Sequence, residues 1–124
     1  MNYEDDYIMR LIHEIIRMLI KLLMNVDMKS PMAELFLEDI QQNKVDRWCR
    51  MIDSGEINKA ENELSELMEE RSTENLKAAL RFYAYLNEKD EEFLVQNHFS
   101  REEIKMGLEN LAQMYGAEGL TEIF

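Results

Sequence analysis

From Asp6 to Met24 the chain reads DYIMRLIHEIIRMLIKLLM, and its polar residues Arg10, Glu14, Arg17 and Lys21 recur at steps of four, three and four. On an α-helix that spacing draws one narrow polar stripe. Ile8, Met9, Leu11, Ile12, Ile15, Ile16, Met18, Leu19, Ile20, Leu22, Leu23 and Met24 fill the rest, with His13 beside the stripe. The pattern predicts a long N-terminal helix over 6–24 around which the rest of the chain is organised. A helix apolar over most of its circumference needs contact on more than one side. A central core position, a seam with a second copy or a membrane surface would each supply it. A spanning helix is excluded, because placing four charged side chains in the bilayer centre is too costly.

Shorter one-sided helices follow. Asn25 to Lys29 read as a loop. Ser30-Pro31 then opens a helix, serine as N-cap and proline at the first helical position, running to about Gln42. It buries Met32, Leu35, Phe36 and Ile40. A short helix over 44–53 puts Val45, Trp48, Cys49 and Ile52 on one side, and Ser54-Gly55 punctuates its end. From Glu56 to Glu70 the stripe of Ile57, Ala60, Leu64, Leu67 and Met68 faces away from a glutamate-rich side. Arg71 to Thr73 is a polar turn with cap residues. The helix over 74–88 has Leu76, Ala79, Leu80, Tyr83 and Leu86 as its main stripe. Its Phe82 and Tyr85 point elsewhere, so it touches two neighbours. Residues 90–97 make a short helix carrying Phe93 and Leu94. Ser100-Arg101-Glu102-Glu103 is a capping box, and the helix it starts buries Ile104, Leu108, Leu111 and Tyr115 before Gly116 ends it. Leu120, Ile123 and Phe124 are expected to dock the tail.

These readings give one all-α domain over 1–124, an array of six to seven helices. The N-terminal helix covers 6–24, helical hairpins cover 30–70 and 73–116, and a tail covers 117–124. Composition agrees. One proline, four glycines and 46% hydrophobic content favour packed helices over strands or disorder. A net charge of -12 repels nucleic-acid backbones and leaves no basic face for them. One cysteine permits no intramolecular disulfide and suits a reducing cytoplasm. The start, MNYEDDYIMR, is acidic where a secretory signal is basic. Ten methionines fill irregular cores or adaptable binding faces.

Two resemblances sharpen the fold. MIDSGEINKAENELSELMEE resembles the second half of a tetratricopeptide repeat, through Gly55, Glu56, Ala60 and Leu64. The preceding helix has Trp48 but lacks that family's Leu-Gly and Tyr positions, and no second copy follows at a period of about 34 residues. DYIMRLIHEIIRMLIKLL, GEINKAEN, FYAYLN, FSREEIKMGL and YGAEGL together resemble a small uncharacterised bacterial family of anaerobic Gram-positive gut bacteria, a domain of unknown function. That resemblance implies a helical, repeat-like, tetratricopeptide-like fold in a bacterial cytosol and supplies no active site.

Candidate chemistry is sparse. His13-Glu14 lacks the second histidine, one turn on, that a metalloprotease pair needs, because position 17 is arginine. His98 precedes the capping box and reads as a helix-end residue. Cys49 sits with Trp48 and Ile52 as a buried structural thiol. Glu61, Glu66, Glu69 and Glu70 lack the alternating carboxylates of a calcium loop and read as a solvated face. No phosphate loop or nucleophile elbow occurs. We therefore expect no catalytic residue, no cofactor and no metal.

The expected function is a non-catalytic protein-interaction module, a homodimer or the partner of an unidentified protein. Its expected surface is Ile8, Leu11, Ile12, Ile15, Ile16, Leu19, Leu22 and Leu23 of the N-terminal helix, with Phe82 and Tyr85 as aromatic anchors. Peripheral membrane binding through the same helix is one alternative, disfavoured because Glu14 and the acidic lead-in offset Arg10, Arg17 and Lys21. A small-ligand or enzymatic pocket holding His13, His98 and Cys49 is the other.

Overall fold

The computed structural model describes residues 3–24 and 42–116. They form six helices: α1 (Tyr3–Met24), α2 (Gln42–Asp53), α3 (Ile57–Leu67), α4 (Thr73–Asn87), α5 (Glu91–Gln96) and α6 (Arg101–Met114). There is no strand among the described residues. The helix expected at 30–42 and the tail with Leu120, Ile123 and Phe124 lie outside them. Helix α1 begins at Tyr3 rather than at the predicted Asp6.

Ser100 caps its helix as its spacing foretold. The Ser100 hydroxyl accepts from the Glu103 amide at 3.3 Å and starts α6. Ser72 does the same for α4, accepting from Asn75, and Asp90 for α5, accepting from Phe93. Gly55 and Gly116 take φ of +86° and +78°, the left-handed conformation that closes α2 and α6 at little steric cost.

The structural centre is α4, not α1. Helix α4 packs against α2, α6 and α1, and α1 packs against α4 and α6. Eleven of the fifteen α4 residues are buried. Ala78, Ala79 and Ala84 let neighbours approach its backbone from several sides. Phe82 meets Trp48 of α2 edge to face, ring centroids 6.0 Å apart. This corrects the reading of α1 as the organising element: its apolar excess is one wall of the core that α4 fills. Ile12, Ile15, Ile16, Leu19 and Ile20 of α1 are all within 1% of complete burial. Each such side chain contributes roughly 1.5–3 kcal/mol.

Buried polar side chains lock the helices together. Asn87 donates to the Met9 carbonyl of α1 at 3.0 Å. The buried Arg101 guanidinium of α6 donates to the Asn87 carbonyl at 2.8 Å and to the Lys89 carbonyl. It thereby satisfies the carbonyls at the end of α4, which otherwise lack helical partners. Asn75 reaches across to the end of α3, donating to Leu67 and Glu70 carbonyls at 3.2 and 2.7 Å. The Tyr115 hydroxyl donates to the Ser72 carbonyl at 2.8 Å, tying the end of α6 to the start of α4.

Candidate functional site

The fold leaves a groove of about 430 Å³ between α3 and α6, with Tyr83 of α4 in its wall. It exists because Gly107 lies opposite Tyr83. A Cβ at position 107 would fall 2.3 Å from the Tyr83 hydroxyl oxygen, so only glycine lets α6 approach the ring this closely. The Tyr83 hydroxyl in turn donates to Glu61 Oε2 of α3 at 2.8 Å. One contact chain, Gly107 to Tyr83 to Glu61, thus spans three helices.

The groove combines apolar and acidic lining. Leu64, Met68, Leu111 and Met114 give it apolar walls, and Met106 stands at its edge with 60% of its surface exposed. Asn62, Ser65 and Asn110 offer neutral hydrogen-bonding groups, and Glu61 and Glu103 are its carboxylates. No lysine or arginine is among its lining residues. Burial pushes the Glu61 carboxyl above the usual carboxylate range, and the like charge of Glu103 adds to this, against the stabilising hydrogen bond from Tyr83. Burial likewise holds the Tyr83 phenol far above its ordinary range, so it remains a donor.

A second cluster joins α2 to the end of α4. Lys89 Nζ lies 2.6 Å from Asp53 Oδ1, and 4.9 and 5.1 Å from the ring centroids of Tyr85 and Phe93. The Tyr85 hydroxyl donates to the same Asp53 oxygen at 2.6 Å. The Lys89 and Tyr85 hydrogen bonds hold Asp53 below its ordinary range. Here the chain's own lysine occupies the aromatic and acidic surroundings. Cys49 nearby is half-buried, and desolvation with the charge of Asp53 pushes its thiol up to about 11. A raised value is the reverse of what an activated nucleophile needs, and the half-buried thiol is less covered than the buried residue expected from sequence.

The structure places most of the sequence-predicted surface in or against the core. Ile12, Ile15, Ile16 and Leu19 are core, covered within the chain where α1 meets α4 and α6. Ile8 and Leu11 are partly buried against the same core. Leu22 and Leu23 end α1, and their side chains lie outside the described residues. Phe82 is completely buried, which removes it as an exposed anchor. Tyr85 is half-buried and engaged with Asp53. His13 is half-buried on α1, while His98 is exposed in the turn before α6 with a φ of +58°. Among the described residues no three His, Cys, Asp or Glu side chains group as metal ligands.

The groove residues escaped sequence reading because they come from three helices. The one local signal was Gly107, a glycine inside an otherwise good helix, which costs about 1 kcal/mol unless packing requires it.

Taken together, the described residues define a small all-α domain with an acidic, methionine-lined groove, and none of its helices is long and apolar enough to cross a membrane. The chain belongs to DUF6483, a family of unknown function, whose model matches residues 2–116. This agrees with the resemblance carried by its N-terminal and central motifs. No curated protein and no solved structure matches the chain.

Proposed function

We propose that this chain is a non-catalytic protein-interaction module of the cytoplasm, and that it binds through the α3–α6 groove. The observation that carries the reading is the exposure of Met106 in a groove that Met114 and Met68 also line, with its back fixed by the Gly107–Tyr83 contact. Unbranched thioether side chains adapt to a partner surface at low cost. A wall set by tight packing loses little order on binding. The groove volume lies within the range of ordinary ligand sites, and its mixed lining suits a peptide segment with apolar anchors. Helix α1 is not the seam in this reading, since the chain itself covers its central apolar positions.

Site-specific photo-crosslinking tests the proposal. A benzophenone side chain is placed at Met106 and, as a control, at Val95, which is equally exposed on α5. In the native host the groove position is expected to give one dominant protein adduct that the control lacks. Equal labelling at both positions, or none at Met106, overturns the proposal.

A further inference from the structure

We infer that the partner segment is cationic, presenting a lysine or arginine between apolar anchors, with its charge set against Glu61 and Glu103. This rests on the groove reading above and specifies what fills it. The argument is charge complementarity. Two carboxylates line the groove without a lysine or arginine among its lining residues. The cations of α3 and α6 have partners of their own: Lys59 pairs with Glu56, Lys105 with Glu109, and Arg101 bonds to the Asn87 and Lys89 carbonyls. Glu61 is half-buried, and its carboxylate accepts a hydrogen bond from the neutral Tyr83 hydroxyl. A half-buried carboxylate beside a like charge gains more from an arriving cation than a solvated one does, because less water competes.

The apolar lining fits the same occupant. A long cationic side chain lays its methylene stem on apolar surface while its charged head reaches a carboxylate. Met106 and Met114 line the same groove as the two carboxylates and supply apolar surface. The whole chain carries a charge of -12, so a second copy would be repelled at this face whereas a basic segment is steered to it.

The test uses the full chain labelled with 13C at its methionine methyls. Three amidated 14-residue helical peptides serve as probes, each with leucines at i, i+3, i+4 and i+7. They carry lysine, glutamine or glutamate at the two positions flanking the leucine stripe. The lysine peptide is expected to shift the Met106 and Met114 methyl signals, leave buried Met51 unmoved, and weaken steeply as salt rises. Glu61→Gln and Glu103→Gln should each weaken it by at least about threefold without changing glutamine-peptide binding. Equal affinity for lysine and glutamine peptides at the Met106 and Met114 signals overturns the cationic partner and leaves the groove reading standing. No methyl shift with any peptide, together with no Met106 crosslink, overturns both. Concentration-dependent shifts in the absence of peptide would identify a second copy as the occupant and overturn the inference.

Discussion

Tyr83 and Gly107 are matched across the α4–α6 contact so closely that position 107 has no room for a single added carbon. The atoms in the way belong to the phenol ring, its hydroxyl and the carbon bearing it. That ring is held in turn by Phe82, 5.0 Å away edge to face, and by Glu61.

Gly107→Ala is therefore expected to destabilise the protein by about 1–3 kcal/mol through overpacking. The same change made in a Tyr83→Leu background should cost markedly less, because the obstructing hydroxyl is gone. Urea unfolding of the four chains in a double-mutant cycle measures this. Strict additivity would refute the steric account.

Asn87 and Arg101 form the buried joint among α1, α4 and α6. Removing the guanidinium with Arg101→Met leaves the Asn87 and Lys89 carbonyls short of their donors in the interior. A loss of about 2–4 kcal/mol is expected, since bonds from a charged donor exceed neutral ones. Asn87→Ala should cost about 1–3 kcal/mol. Chemical denaturation gives both values, and wild-type stability for either variant would contradict the joint.

Glu61 should make stability respond to pH in an unusual direction for a carboxyl group. Its folded pKa lies above its unfolded one, through burial first and Glu103 second. The folded state thus prefers the protonated acid. Its contribution is fully favourable below the unfolded pKa and is lost as pH rises through the folded pKa. Glu61→Gln, which keeps an acceptor for Tyr83, is expected to melt above the parent at pH 7. The gap should close as pH falls to about 4. Asp53 and Glu63 have lowered values and oppose this in parent and variant alike, so the difference between the two melting curves isolates Glu61.

Cys49 should react sluggishly while the protein is folded. With its thiol at about 11, alkylation by iodoacetamide at pH 8 is expected to run about a hundredfold slower than in the urea-unfolded chain. Its rate should still be climbing at pH 10. A mass-spectrometric time course reads this directly, and a rate that levels off by about pH 10 would show an ordinary exposed thiol.

Much of the helical framework was legible because each short helix carries one apolar stripe and recognisable punctuation. Ser100, Gly55 and Gly116 signal their turns within four residues of sequence, and a local pattern suffices for a local structure. The packing order was not legible. In α4 the polar Asn75, Arg81 and Asn87 fall outside the expected apolar stripe, yet all three are buried. Asn87 finds its acceptor 78 positions away, far beyond any helical period. Without that knowledge, the apolar excess of α1 looks like a face awaiting a second molecule. The groove was hidden for the same reason: Glu61, Tyr83 and Met106 share no period and meet only once three helices are docked.

The distance between Met9 and Asn87 also governs how the molecule is made. Helix α1 leaves the ribosome before α4 and α6, the two helices it packs against. At bacterial and eukaryotic elongation rates of about 5–20 residues per second, the 78-position gap corresponds to roughly 4–16 s. For that interval Ile12, Ile15, Ile16 and Leu19 lack the walls they will fold against. The nascent chain is thus a better substrate for hydrophobic-segment chaperones than the finished protein, which presents almost none of that surface.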